Sequence, residues 1–262
     1  MPTLSNLSPL LASLAPSIDR EGRNIMVAIV KGTWVMSPQH RLQPEHDAAP
    51  ISFQDIPSAI EGNALRLTSD LCEVKPSVDV LVVAPENRAV AARLQGRRVG
   101  VALGDLHFVD TVTDKWPFGP ISRTAPSRLE HAGTYDAEWQ KYRMPLLPLD
   151  FSPRYHQDAP QHQRVARPLR GDEGLRLAGL HPPLEGLALT LPGTAVLITG
   201  NIRQDYFSKL ASLDTVLLWS DRPLITLLWR LPIRPRQKIE EIGTVGVHAI
   251  RVETARELYE LQ

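Results

Sequence analysis

Twenty-three prolines spread over 262 residues leave few stretches in which a long helix could form. Each proline removes a backbone donor and clashes with the preceding helical turn, so this density favours strand ends, sheet edges and loops. The runs between them are rich in β-branched and aliphatic residues. Residues 25–36, IMVAIVKGTWVM, read as a strand, with Gly32 as the place for a bulge. Residues 78–84, VDVLVVA, are apolar on both faces, as a central strand covered on both sides requires. Val99, Val101 and Leu103 alternate up to Gly104-Asp105, and Leu106, Phe108 and Val112 follow it, the pattern of a hairpin with a type II′ turn. The same logic predicts hairpins around Pro192-Gly193, between Leu187, Leu189, Leu191 and Val196, Ile198, and around Asp221-Arg222-Pro223.

These runs predict a mainly β chain, with β-sandwich-like antiparallel sheets and a few short helices. Residues 1–24 read as an N-terminal arm with one helical turn near 9–15. Residues 25–262 form the β domain, any subdivision of which falls near 115–170. Asp136 is placed to cap a short helix through Arg143 that Pro145 must end. A last helix over 253–261 would dock through Ala255, Leu258 and Leu261.

Twenty-nine basic residues balance 29 acidic ones, and no Arg-rich run offers the footprint of a nucleic-acid binder. Cys72 stands alone, which rules out an intrachain disulfide and a multi-thiolate metal site. The first 24 residues lack the basic start of a signal peptide and are interrupted by Pro and Ser. A cytoplasmic protein with no membrane segment is expected.

Side chains able to do chemistry are present, but none sits in a pattern that fixes a reaction. Asp70, Glu73 and Asp79 flank Lys75-Pro76, either as an acid/base cluster or as charges on the turn feeding a buried strand. His156 and His162, with Asp150 and Asp158, are the one metal constellation to weigh, although their spacing matches no zinc motif. Asp150, Asp158 and His156 would be the residues of a carboxylate-dependent hydrolase. A ligand-binding module would instead line its pocket with Trp116, Trp139 or Tyr155. Cys72 lacks a neighbouring His and reads as a small buried hydrophobe. There is no nucleophile elbow, Walker loop or dinucleotide fingerprint, so no catalytic residue, metal or cofactor is assigned.

Residues 131–160 concentrate Tyr135, Trp139, Tyr142 and Tyr155 among Pro145, Pro148, Pro153 and Pro160. Stiff backbone with large amphipathic side chains suits a recognition surface. Tyr135, Trp139 and Tyr142 share one helical face, and such a face most often packs into the protein's own core. Tyr135, Trp139, Tyr142, Arg143, Asp150, Phe151, Arg154, Tyr155 and His156 are the candidate partner-binding residues, with contact expected along 147–160 over a buried aromatic helix. Trp229 is expected inside, with Arg230 satisfying a buried carboxylate or carbonyl.

VKGTW at 30–34, DLCEVKPSVDVLVVA at 70–84, GTYDAEWQKYRMPLLPLDFSPRYHQDAPQHQ at 133–163 and DTVLLWSDRPLITLLWR at 214–230 occur in an order that resembles a bacterial family. That family is encoded beside type VI secretion effectors, PAAR-like tip proteins and the valine-glycine-repeat spike protein. The resemblance implies an adaptor or chaperone that loads an effector onto the secretion spike. Its partners would be the effector or its PAAR-like domain and the spike, without chemistry, nucleic acid or membrane.

Overall fold

The computed structural model describes residues 2–62, 64–181, 184 and 186–259. A seven-stranded sheet runs in the order β10 (Arg164–Val165), β7 (Val78–Val83), β15 (Ser212–Trp219), β16 (Leu224–Ile233), β3 (Asn24–Met36) and β2 (Leu11–Ile18), with β4 (Leu42–Pro44) paired to β3. Two four-stranded sheets accompany it. One is ordered β12 (Leu187–Thr190), β11 (Gly174–Ala178), β8 (Arg98–Leu103), β9 (Leu106–Thr111). The other is β1 (Thr3–Asn6), β17 (Ile242–Arg251), β13 (Thr194–Ile202), β14 (Asp205–Leu210). β5 (Ile56–Pro57) and β6 (Leu65–Leu67) make a small ribbon. The chain is mainly β, as its proline content and apolar runs demand. Most neighbours are antiparallel, but β7 pairs with β15, and β1 with β17, in parallel.

Period-2 alternation divides the large sheet into two unlike faces. On the first, Met26, Ala28 and Val30 of β3, Val80 and Val82 of β7, Val216 and Leu218 of β15, and Ile225, Leu227 and Trp229 of β16 join one apolar core. That core also takes Val99, Val101, Leu175 and Leu177 from one smaller sheet and Val196, Ile198, Val245 and Val247 from the other. The second face is mixed: Leu81, Val83, Leu217 and Leu228 are apolar, whereas Lys31, Thr33, Asp79, Thr215, Thr226 and Arg230 are buried polar residues. The mostly irregular segments 45–75, which carries the small β5–β6 ribbon, and 112–163 supply the partners of this face rather than a second large sheet.

The strands expected at 25–36 and 78–84 form, the latter buried at every residue of β7. The Gly104-Asp105 hairpin forms with Gly104 at φ 55 and Leu103 opposite Leu106. The 221–223 turn likewise joins β15 to β16. Gly32 is not a bulge, since Leu227 pairs with it in unbroken register. A Cβ there would come within 2.4 Å of the Trp34 ring, so glycine makes room for that indole. The irregularity lies between Leu213 and Thr215, where the extra residue Asp214 turns its carboxylate to the same side as Thr215.

Pro192-Gly193 does not close a hairpin. β12 pairs with β11 and β13 with β17, so these residues cross between two sheets, held by Gly193 N–H to Gly171 O at 2.7 Å. Alternation reports which face a strand buries, not which strand it pairs with. The arm has no helical turn near 9–15: β2 pairs along β3 there, and Pro16 is tolerated because β2 is an edge. The helix α1 (Arg88–Leu94) was not anticipated; Asn87 caps it by accepting from Val90 N–H. The C-terminal helix α4 (Val252–Tyr259) buries Ala255 and half-buries Leu258 against β13 and β14, and Leu261 lies outside the described residues.

Trp229 is buried and meets Trp34 edge to face at 6.3 Å, and Arg230 finds both kinds of acceptor expected of it. It donates to the Asp214 carboxylate and, through Nε, to Asp70 O at 3.0 Å. Arg230→Met should cost about 3–5 kcal/mol in urea unfolding, because it strands a buried carboxylate, while Arg230→Met with Asp214→Leu should recover more than half of that loss. Additive losses in the double variant would show that the pair is not coupled.

Candidate functional site

Between β9 and β10 the chain runs for some fifty residues without a strand, carrying α2 (Pro126–Leu129), α3 (Ala137–Tyr142) and two 3₁₀ turns, Pro153–His156 and Gln161–Gln163. What fixes this segment to the sheet is charge. Asp79 sits inside an apolar strand and needs donors. Lys75 Nζ lies 2.7 Å from Asp79 Oδ2 and 2.6 Å from Asp158 Oδ2. Arg128 Nη2, from α2, lies 2.5 Å from Asp158 Oδ1 and 3.0 Å from Gln157 O. Asp158 N–H and Gln157 Nε2 both donate to Asp79, at 2.7 Å each. Burial pushes the Asp158 carboxyl up, but Lys75 and Arg128 outweigh it and hold the group well below the usual range. Lys75 is opposed by burial too, and Asp158 and Asp79 hold its ammonium above the ordinary value. Asp79, deeper, with Lys75 close and Arg164 Nε farther off at 4.0 Å, is raised by burial. Arg128 Nε and Nη1 find no hydrogen-bond partner among the described residues, and the guanidinium lies 5.9 Å from the Tyr155 ring centre.

Farther out the segment is stitched to itself. Gly133, at φ 81, leaves no room for a Cβ, which would come within 2.7 Å of Pro148. That approach lets Asp150 accept from Thr134 N–H at 3.0 Å and Thr134 Oγ1 at 2.7 Å, bonds that hold its carboxyl below the ordinary value. Asp136 caps α3 by accepting from Trp139 N–H at 2.8 Å. The Trp139 indole N–H reaches Leu146 O at 2.8 Å, and Arg143 donates to Leu147 O and to Arg20 O. Arg20 in turn donates to Leu149 O, so the β2–β3 turn and the 143–149 loop clamp each other.

This bracing moves the aromatic face to the outside. No residue of α3 is buried; Tyr135 is 54% exposed and Tyr142 72%, with Trp139 half-buried and stacked edge-on against Tyr135 at 4.7 Å. The core-facing expectation for this stripe therefore fails, because Trp139 satisfies its polar tip within the loop and α3 lies on the loop's outer side. A groove of about 390 Å³ lies between α3 and the 148–150 loop, lined by Trp139, Tyr142, Arg143 and Asp150. Of the remaining candidates, Arg154 is exposed, Phe151 is buried, and Tyr155 and His156 are half-buried in one ring cluster with it.

The carboxylates of the expected hydrolase and metal sets, and His162, are taken up by other partners. Asp150 is engaged by Thr134, Asp158 by Lys75 and Arg128, and His162 by Asp110 at 2.8 Å. Among the described residues no group of three or more His, Cys, Asp or Glu could hold a metal ion. Trp116 donates to Val82 O and packs on Phe118, so it belongs to the core. Cys72 is buried, which pushes its thiol up to about 11, far from a reactive thiolate. Of the cluster at 70–79, Asp70 and Asp79 are buried in ion pairs and Glu73 pairs with Arg234 nearer the surface. Arg128 was missed by sequence reasoning. The signal available was Asp79 itself, a charge within an apolar run that must be met by a cation from elsewhere.

Residues 107–230 match a family model described as an uncharacterized protein conserved in bacteria (DUF2169). No curated protein and no solved structure matches the chain. No helix among the described residues is long and apolar enough to cross a membrane.

Two pH dependences follow. The folded Asp158 pKa lies below its ordinary 3.8, so its contribution is present above that pH and is lost as pH falls below about 4. His156 is lowered from 6.5 to about 4, mainly by burial, so the unfolded state binds its proton first and stability declines across that interval as pH falls. Urea unfolding at stepped pH should show His156→Phe losing the slope between 6.5 and 4 and Asp158→Asn losing the drop below about 4, beyond an overall loss of about 3–5 kcal/mol at neutral pH. Unchanged pH profiles would refute both assignments.

Proposed function

We propose that the chain is a cytoplasmic adaptor that binds a type VI secretion effector, or its PAAR-like domain, and loads it onto the spike. The observation that carries the binding role is a crowding of exposed apolar side chains on one braced segment. Of twelve large hydrophobics exposed among the described residues, five lie between positions 129 and 149: Leu129, Tyr135, Tyr142, Met144 and Leu149. Apolar side chains gathered this way on a water-facing surface favour a macromolecular contact. The hydrogen bonds of Asp136, Asp150, Trp139 and Arg143 hold the loop in one shape, which lowers the ordering cost of association.

The type VI part of the proposal is supported by the resemblance of the four sequence blocks, and the match over 107–230 includes the densest of them. The carboxylates that would do chemistry are held by cations or by Thr134, which favours binding over turnover. Tyr135→Ala with Tyr142→Ala should weaken copurification with the effector encoded beside the gene, raising Kd at least about tenfold. The melting temperature should stay unchanged, because both side chains are exposed. Absence of any complex, together with effector secretion unaffected by deletion of the gene, would overturn the proposal.

A further inference from the structure

A second cavity, of about 400 Å³, lies behind the 147–156 chain, between it, the 71–74 loop and the end of β2. Its wall is largely apolar, with Leu71, Val74, Leu147, Phe151 and Pro232 among the lining residues. His156 also lines it. The imidazole touches the Phe151 and Tyr155 rings at 5.8 and 5.7 Å, but neither ring nitrogen has a hydrogen-bond partner among the described residues. Burial keeps this ring neutral at pH 7, lowering its pKa to about 4, so it offers one N–H donor and one acceptor.

Neither ring nitrogen is sealed from solvent, so a ligand that enters this largely apolar cavity must replace water at a donor and at an acceptor. The larger cavity, of about 440 Å³ around Phe53 and Trp219, has no such opening, since its Lys31, Arg66 and Asp70 are all engaged by the protein. At the mouth of the His156 cavity Arg234 pairs with Glu73 and Arg20 donates to Leu149 O. A carboxylate entering deeply would face a neutral imidazole in apolar surroundings. A phenol meets both demands, with an apolar ring for the wall and a hydroxyl that donates and accepts.

We propose that this cavity seats one tyrosine side chain of the bound polypeptide, its ring on the apolar wall and its hydroxyl on His156. The inference rests on the binding role given above, and it places the anchoring contact behind the 147–156 chain rather than on α3. The cavity volume lies at the lower end of the range for small-ligand sites, enough for one aromatic side chain and its neighbouring backbone.

The probe is p-cresol, the side chain of tyrosine, titrated into the isolated full-length chain and followed by NMR, with toluene and p-toluate as controls. Binding is expected with a Kd of about 1 mM. Toluene should bind about tenfold more weakly, and p-toluate more weakly than p-cresol. His156→Phe should weaken p-cresol about tenfold without affecting toluene, and Val74→Trp should abolish both. Equal affinity for toluene, tighter binding of p-toluate, or no p-cresol binding to the wild type would overturn the proposal whether or not the variants fold. Because the protein is tested alone, the outcome is separate from that of effector copurification.

Discussion

Eight charges buried on one face of the central sheet constrain everything built on that face. Lys31, Lys75, Arg128 and Arg230 oppose Asp70, Asp79, Asp158 and Asp214, and all eight are buried. No one of them could stay ionised there alone. Lys31 meets Asp70 at 3.0 Å, Arg230 meets Asp214, and Lys75 bridges Asp79 and Asp158, with Lys75 N–H reaching Asp214 at 3.4 Å to join the two groups. Apolar contact would leave the covering loops free to slide. Paired charges allow one docking position, so the irregular segments 45–75 and 112–163 are seated by polarity while the sheets on the opposite face are seated by hydrophobic burial.

That division explains how a segment without strands can present a defined surface. Asp158 and Gln157 anchor its base, Arg123 ties it to Asp55 through two bonds of 2.9 and 3.0 Å, and the Arg20–Arg143 exchange holds its far end. Several residues expected to touch a partner instead build the loop: Asp150, Arg143 and the Trp139 indole are spent on internal hydrogen bonds. The side chains left facing water are then those not spent on internal hydrogen bonds, Tyr135, Tyr142 and Leu149 among them.

The strands were legible in the amino-acid order where burial on both faces wrote a continuous apolar run, as at 25–36 and 78–84. The Gly104-Asp105 turn was legible because two-residue hairpins demand positive φ at a defined place. Pro192-Gly193 carried the same local signal and a different outcome, since partner choice is settled by contacts distant in sequence. Asp79 announced that it needed a cation. Nothing local could say that Arg128 and Asp158 would complete its surroundings from across the chain. The Tyr135–Trp139–Tyr142 spacing identified a helix face but not its direction, which depended on Trp139 and Leu146 closing the loop beneath it.

The first two strands belong to different sheets: β2 lies against β3 in the large one, while β1 runs parallel to β17 in another. Thr3 pairs with Thr244, so the sheet that contains both strands closes only once Ile242–Arg251 has been made. Its apolar face, with Val245 and Val247 completing the layer over Val196 and Ile198, stays open during synthesis. Pairing so distant in sequence meets its loop-closure cost before any contact rewards it, which makes this sheet slow to form.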